Sequence, residues 1–254
     1  MQSSGIESGV SSITHDFSRR ADLATNPEYM DGPCSYEELR ACLRSIARVN
    51  RLTLAYRPVL AWLERLRRTS AFAGRTVHLV DLGCGYGDLL RRVHGWAQRH
   101  RVPITLTGID LNGDAVRAAR EATPARTVTF YAGNAFDFDP PGGVDLIVSS
   151  LVMHHMETPG IVELLGWMEQ TARLGWFISD LHRQPTPYRL FDLLTRLTTW
   201  HHFAKHDGLV SIRRSFRHED WTALLEAAAI PADGYQLRTF RPARLCVARE
   251  HATA

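Results

Sequence analysis

Three glycines in one short loop give the clearest chemical signal in the sequence. Gly83, Gly85 and Gly87 follow an apolar run over residues 76–81 and precede a helical pattern over residues 88–99. Glycine lets a loop turn tightly and lets a ligand lie against bare backbone. The free N–H groups at the start of the following helix favour an anionic group. The loop therefore predicts a site for a nucleotide-like cofactor.

Two acidic residues flank this loop at informative positions. Asp81 comes just before the glycines, where it can meet an ammonium group, and Asp110 ends the next apolar run, where a carboxylate can bind a ribose diol. The spacing is Gly-x-Gly-x-Gly, whereas dinucleotide enzymes typically have Gly-x-Gly-x-x-Gly. These features favour a cofactor that carries an amino acid. An NAD(P)-dependent Rossmann oxidoreductase remains an alternative, because it shares the strand–glycine–helix arrangement.

Histidines gather where a substrate would meet such a cofactor. His154 and His155 follow the fourth predicted strand, His182 follows the fifth, and His206 lies in the segment after it. An imidazole with an ordinary pKa of about 6.5 can accept a proton at neutral pH, so all four are candidate bases. The alternative for His154 and His155 is packing and capping at a helix start. No nearby cysteine or paired acid completes a zinc site, and we predict no metal.

The pattern of apolar residues predicts the elements that position these side chains. Strands are predicted over residues 76–81, 104–110, 128–131, 144–148 and 176–179, with helices over 88–99, 113–122 and 159–174 between them. A helix over 219–229 and a strand pair over 235–241 and 244–248 complete the chain. Alternating strands and helices indicate parallel strands joined by crossovers. We predict an α/β, Rossmann-like, doubly wound and mostly parallel seven-stranded sheet.

Two helices are predicted ahead of the sheet, over residues 36–70, with a break at Arg57-Pro58 because proline disfavours helix in the residue before it. We expect this pair to form a lid, from which Arg51 pairs with a carboxylate of the cofactor. The alternative is that the helices only cover an edge of the sheet.

The remaining segments complete the predicted domain organisation. Residues 1–35 are polar and without periodicity, which predicts a flexible tail. Residues 71–254 form the main domain, with an insertion at about 184–215 that we expect to be helical and to roof the pocket.

Composition narrows the class of protein. The chain has 30 Lys and Arg against 27 Asp and Glu, spread without a basic stripe, which argues against a nucleic-acid partner. Its four cysteines show no paired spacing, and no apolar stretch is long enough to span a membrane. We expect a cytoplasmic protein, monomeric or homodimeric, that acts on a small molecule.

The sequence resembles the class I S-adenosylmethionine methyltransferases over about residues 75–250. The first motif of that family corresponds to residues 80–87, the ribose-binding acid to Asp110, the third-strand motif to residues 133–135 and the fourth-strand motif to residues 144–155. Asn134 stands where the family usually has an acid. The resemblance implies that the cofactor contacts the following residues: Asp81, Gly83, Cys84, Gly85, Gly87, Asp110, Leu111, Asn134, Ala135, Ser150 and Arg51.

Two absent signatures suggest the kind of methyltransferase. Relatives that modify nucleic-acid bases carry Asn/Asp-Pro-Pro-Tyr after the fourth strand, whereas this chain has Ser149-Ser150-Leu151-Val152. Of the magnesium ligands of the catechol type, only Asp180 is present. The resemblance implies a small-molecule C- or O-methyltransferase of quinone or polyketide type, from secondary metabolism, with S-adenosylhomocysteine as product. A non-catalytic cofactor-binding module is a further alternative, because of Asn134 and the lack of a clear base.

Overall fold

The computed structural model describes residues 15–251. It contains the following strands: β1 Val77–Leu82, β2 Ile104–Asp110, β3 Thr129–Ala132, β4 Val144–Ser150, β5 Ala172–Leu181, β6 Tyr235–Phe240 and β7 Arg244–Glu250. It contains the following α-helices: α1 Tyr36–Leu52, α2 Arg57–Arg67, α3 Asp88–His100, α4 Gly113–Glu121, α5 Thr158–Thr171, α6 Pro185–Leu197, α7 His202–Arg214 and α8 His218–Ala227.

All seven strands form one sheet in the order β3-β2-β1-β4-β5-β7-β6. The first five are parallel, and β7 runs antiparallel to both β5 and β6. The predicted α/β, Rossmann-like, mostly parallel seven-stranded fold is confirmed. The strand order reverses between β1 and β4, and open α/β sheets bind ligands in the crevice at such a point.

Helices cover both faces of the sheet, so its central strands are apolar on both sides. On one face, Trp62 of α2 stacks on Phe177 of β5 with ring centroids 5.2 Å apart. On the other face, Trp176 and Trp221 are fully buried in a second apolar layer formed with α5 and α8. The two layers hold the carboxyl ends of β1 and β4 in fixed positions.

The helices ahead of the sheet form as the sequence predicts. Ser35 and Glu38 make a capping box that starts α1, and Pro58 lies in the first turn of α2. Between the helices the backbone passes through Leu54, whose φ is 56°. The helix α2 packs on β5, whereas α1 packs on α4 and α7, over the crevice.

The helical insertion after β5 is also confirmed, as α6 and α7. The helix predicted over 159–174 is wrong at its end: α5 stops at Thr171, and β5 begins at Ala172. The cause is pairing with β4, in which Val144 lies opposite Ala172. Tertiary pairing outweighs the local helical pattern there.

The described part of the predicted tail, residues 15–35, lies against the insertion and β5. The backbone N–H of Ala21 donates to the carbonyl of Arg213, and the buried guanidinium of Arg183 donates to the carbonyls of Phe17 and Ser18. Residues 1–14 lie outside the described residues. No α-helix among residues 15–251 has the length and apolar character of a membrane span.

Candidate functional site

A cavity of about 810 Å³ lies at the carboxyl ends of β1, β2 and β4. The glycine loop bounds one end of it, and α1, α6 and α7 bound the other. The sequence therefore brings the predicted cofactor loop and the predicted insertion to a single site.

The glycine loop can take its conformation only with glycine. The φ angles of Gly83, Gly85 and Gly87 are 65°, 50° and 69°, in the left-handed region that other residues rarely adopt. A Cβ on Gly87 would lie 2.8 Å from Phe130 Cζ, and one on Gly83 would overlap Val152. The loop therefore presents bare backbone to the cavity. Gly87 shapes the turn but is not itself among the cavity-lining residues.

Asp110 is held in a fixed orientation at the end of β2. Its Oδ2 accepts a hydrogen bond from the N–H of Gly85 at 2.8 Å, and its Oδ1 accepts one from the N–H of Asn112 at 2.9 Å. Burial raises the pKa of Asp110, and these two hydrogen bonds oppose the rise in part. A carboxylate fixed in this way retains lone pairs that can accept from a diol in the cavity.

A second acid, Asp81, makes this end of the cavity strongly acidic. Burial raises its pKa well above the usual range, and the charges of Asp88 and Asp110 add to the rise. Asp88 in turn accepts a hydrogen bond from the hydroxyl of Tyr56 at 2.6 Å. A positively charged ligand would offset this accumulation of carboxylates.

Most of the other predicted cofactor residues also line the cavity. These residues are Gly83, Cys84, Gly85, Leu111, Asn134, Ala135 and Ser150. Leu111 is 79% exposed, which is unusual for a leucine and provides an apolar surface for a flat ring. The amide oxygen of Asn134 accepts from the N–H of Phe136 at 3.2 Å.

Arg51 lies elsewhere. It is exposed and does not line the cavity; it lies in a neighbouring depression with Arg48 and Arg92, and Tyr56, Tyr86 and Asp88 line both spaces. The cation that does line the cavity is Arg244, at the start of β7. Arg244 is buried, and its Nη1 is a buried atom with no hydrogen-bond partner among the described residues. Sequence reasoning missed Arg244, because nothing in the local pattern shows that β7 lies beside β5.

Beyond this end, His154 forms a buried pair with Asp180. Its Nδ1 lies 2.7 Å from Asp180 Oδ1, and its backbone N–H donates to Asp180 Oδ2 at 3.3 Å. Burial alone would raise the pKa of Asp180, but the charge and hydrogen bond of His154 hold it below the ordinary value. His154 Nε2 points the other way and lies 3.8 Å from Glu28 Oε1.

His155 has a parallel arrangement. Its Nδ1 lies 3.1 Å from Asp31 Oδ1, and its Nε2 lies 3.7 Å from Glu28 Oε2. Burial alone would lower the pKa of His155, but the hydrogen bond to Asp31 and the charges of Glu28 and Asp31 raise it. Both imidazoles line the cavity, so the structure brings together two of the four predicted histidines.

Glu28 and Asp31 belong to the segment for which the sequence predicts a flexible tail, and sequence reasoning missed both. Tyr29 and Met30 lie between Glu28 and Asp31 in the chain, and their backbone N–H groups donate to the buried carboxylate of Asp207 at 2.8 and 3.1 Å. Long-range contacts of this kind leave no periodic signal in the sequence.

Glu28 is also held directly. Ser211 Oγ donates to its Oε1 at 2.9 Å, and Arg214 Nη1 lies 3.3 Å from the same oxygen. Arg214 also contacts Asp31, at 3.2 Å. The helix α7 therefore fixes the two carboxylates that face the histidines.

His182 and His206 do not line the cavity. His182 is buried against His218, and burial first, then the positive charges of His218 and Arg217, lower its pKa to about 4. A group with so low a pKa is a weak base at neutral pH. His206 stacks on Tyr29 with ring centroids 3.8 Å apart. The assignment of catalytic roles to these two residues stays a prediction.

Comparisons with known proteins agree with this geometry. Residues 79–175 match the family model described as a methyltransferase domain. No curated protein sequence matches the chain. Together, the sheet order, the glycine loop and the family match define a class I S-adenosylmethionine-dependent methyltransferase. The family match also decides against the NAD(P) oxidoreductase alternative.

Solved structures show the same fold at low sequence identity. The plantazolicin methyltransferase BpumL, in complex with a monoazolic desmethylPZN analog and SAH, is 16% identical with a TM-score of 0.58, over 85% of this chain and 96% of BpumL. Human N-acetylserotonin methyltransferase in complex with SAM is 18% identical with a TM-score of 0.60, over 86% of this chain and 57% of that one. The citrinin polyketide synthase CMeT domain is 14% identical with a TM-score of 0.54, over 76% and 52% of the two chains.

Proposed function

We propose that this methyltransferase transfers the methyl group of S-adenosylmethionine to a hydroxyl group or activated carbon of a small, apolar, aromatic or polyketide-like molecule. The observation that carries the proposal is the continuity of one cavity from the glycine loop to the histidine pair. A methyl donor held at the loop and an acceptor held at the histidines would share this space. Methyl transfer needs the reacting atoms about 3–3.5 Å apart and in line, which a shared cavity allows.

The residues at the loop end fit S-adenosylmethionine by charge. The cofactor carries an ammonium and a sulfonium, which suit the acidic surroundings of Asp81, and a carboxylate, which suits Arg244. The specific indication is that Arg244 is the one arginine or lysine that lines the cavity among the described residues. We assign the carboxylate to Arg244 in place of Arg51.

The remaining contacts follow from the same geometry. Asp110 would bind the ribose hydroxyls, Asn134 the adenine amine, and Leu111 one face of the adenine ring. Ser150 and the backbone of the glycine loop would complete the enclosure. When bound, the cofactor supplies an activated methyl group; the protein supplies orientation and electrostatics.

The acceptor end indicates an apolar substrate. Its walls are formed mainly by aliphatic and aromatic side chains of α6 and α7, with Ile46 of α1, as follows: Ile46, Pro187, Leu190, Phe191, Leu194 and Ile212. Small-molecule sites usually have volumes of about 300–1,000 Å³, so a cavity of about 810 Å³ can hold the cofactor and a small acceptor together. In this proposal α1 is a wall of the acceptor site, in keeping with the predicted lid over residues 36–70.

The histidine pair is the group that would activate the acceptor. In the neutral tautomer that donates from Nδ1 to Asp180, His154 has a lone pair on Nε2. The same holds for His155 with Asp31. A lone pair in this position can take the acceptor's proton, directly or by binding a cation that ionises the acceptor. His182 and His206 have no part in this proposal.

Two measurements test the function. Isothermal titration should show binding of S-adenosylmethionine and S-adenosylhomocysteine, and incubation with phenols and polyketide-like acceptors should give a product one methyl group heavier. Absence of binding by both cofactor forms would overturn the proposal. Binding without product from any acceptor, including those in a host metabolite extract, would favour the non-catalytic module.

A further inference from the structure

The side chains of Glu28, His154 and His155 converge on one point at the acceptor end of the cavity. One oxygen of Glu28 and the two Nε2 atoms lie within 4.8 Å of one another. We propose that these three residues bind one divalent transition-metal ion of the Zn²⁺ kind. The proposal departs from the sequence-based expectation of no metal, which did not include Glu28.

The donor set is the first argument. Two imidazole nitrogens and one carboxylate oxygen are a ligand set that Zn²⁺, Fe²⁺ and Co²⁺ accept. A tetrahedral ion about 2.1 Å from each ligand sets the ligands about 3.4 Å apart. His154 Nε2 lies 3.8 Å from Glu28 Oε1, and His155 Nε2 lies 3.7 Å from Glu28 Oε2. Each imidazole therefore faces one oxygen of the same carboxylate at close to this separation.

The partners of the two imidazoles are the second argument. A histidine that binds a metal through Nε2 usually donates its Nδ1 hydrogen to a carboxylate or carbonyl, which fixes the tautomer and makes the ligand more basic. Here His154 has Asp180 and His155 has Asp31 in this position. A single general base needs one such pair, whereas two pairs aimed at the same carboxylate are typical of a metal site.

The charge of the groups around the two histidines also favours a bound cation. Three carboxylates, Glu28, Asp31 and Asp180, contact the two imidazoles, and one guanidinium, that of Arg214, contacts this group. With neutral imidazoles these contacts leave a formal excess of two negative charges around the two histidines; Asp31 is exposed, and the charges of Arg20 and Arg244 also act on Asp180. A divalent cation offsets that excess.

Three protein ligands at the wall of a cavity leave coordination positions open, as in catalytic rather than structural metal sites. A cation here would lower the pKa of a hydroxyl group placed next to it. This catalytic role of the metal rests on the proposed methyltransferase function. Binding of the metal by Glu28, His154 and His155 does not depend on that function.

The binding test uses the full chain after removal of metal with a chelator. Titration with Co²⁺ should give the visible absorption bands of a protein-bound ion and saturate at one equivalent. Glu28→Gln keeps the side-chain shape, removes the ligand charge, and should weaken Co²⁺ binding at least about 100-fold. Asp180→Asn, which acts through His154, should weaken it about 10–100-fold.

His100→Gln, at an exposed position in the last turn of α3, is the matched control and should bind Co²⁺ like the wild type. Circular dichroism melts of each variant establish that the protein is folded. Failure of the wild type to bind Co²⁺, or binding by Glu28→Gln equal to the wild type, overturns the proposal.

An activity test separates this inference from the proposed function. Methylation of an accepted substrate should fall after metal removal and return on addition of Zn²⁺ or Co²⁺. Equal turnover by chelated and metal-loaded protein overturns the role of the metal in methylation and leaves the methyltransferase assignment intact. If no acceptor is methylated, the proposed function fails, and the Co²⁺ titration still decides whether the metal site exists.

Discussion

The two ends of the cavity are built in different ways. The cofactor end comes almost wholly from residues 81–135, from consecutive strand ends and the loops that follow them. The acceptor end assembles Glu28 and Asp31 with side chains 183 or more residues away, such as Ser211 and Arg214. The first can be recognised from local sequence, whereas the second exists only through tertiary packing.

The largest expected effect is a loss of methylation rate without a loss of cofactor affinity, caused by a substitution at the acceptor end. His154→Gln removes an imidazole that faces the acceptor, and we expect kcat to fall by a factor of about 10²–10⁴. The Kd for S-adenosylmethionine, measured by titration, should stay within about twofold, because His154 belongs to the acceptor end. Loss of cofactor affinity equal to the loss of rate would show that the ends are not independent.

A comparison of two arginines tests the assignment at the cofactor end. Arg244→Gln should weaken the binding free energy of S-adenosylmethionine by about 1.5–3 kcal/mol, the usual contribution of a hydrogen bond to a charged group, and the measured Kd should rise accordingly. Arg51→Gln is the control and should leave the Kd unchanged, because Arg51 does not line the cavity. The reverse result would restore the assignment made from sequence.

Asp110→Ala tests the ribose contact. We expect it to weaken cofactor binding by about 1–3 kcal/mol, because the sugar hydroxyls and the N–H of Gly85 lose their acceptor. The raised pKa of Asp110 adds a pH dependence. Wild-type affinity should fall as the pH falls through that raised pKa, since the protonated carboxyl accepts hydrogen bonds less well, and the variant should not show this fall. A Kd equal to that of the wild type would mean that the pocket has been misplaced.

The smallest expected effect concerns stability and His182. The pKa of this residue is lowered from 6.5 to about 4, so the unfolded chain binds more protons between these pH values. The free energy of unfolding should therefore fall as the pH drops from about 6.5 towards 4. In urea titrations His182→Gln should lose less stability over this window than the wild type, with His100→Gln as the exposed control. Parallel curves for all three proteins would show that His182 is not buried in the neutral form.

Local signals account for the parts of the molecule that sequence reasoning predicted. The alternation of strands and helices, the glycine loop, Asp110 and the break before Pro58 all follow from residues close together in the chain. Arg51 was expected to contact the cofactor from α1 but does not line the cavity, because helical periodicity does not show which neighbour each face of a helix meets. Arg244 required knowledge that β7 inserts between β5 and β6.

The acceptor end was beyond the reach of such signals for a related reason. His154 and His155 could be predicted from their place after β4, but their partners could not. Glu28 and Asp31 lie in an aperiodic, polar segment, and the buried Asp207 that pins the segment lies in the insertion, far away in sequence. The sequence around residues 28–31 does not indicate contact with Asp207, and the sequence around Asp207 does not indicate contact with residues 28–31.

The attachment of residues 28–31 to α7 also sets an order of events during biosynthesis. This stretch leaves the ribosome long before Asp207, Ser211 and Arg214 are translated, and it has none of its hydrogen-bonding partners on α7 until then. The nucleotide-binding strands can pair earlier, since their contacts join nearer parts of the chain. In the growing chain the strand ends that carry Asp81 and Asp110 would therefore be in place before residues 28–31 are anchored, and Arg244, further along the chain, would join them last.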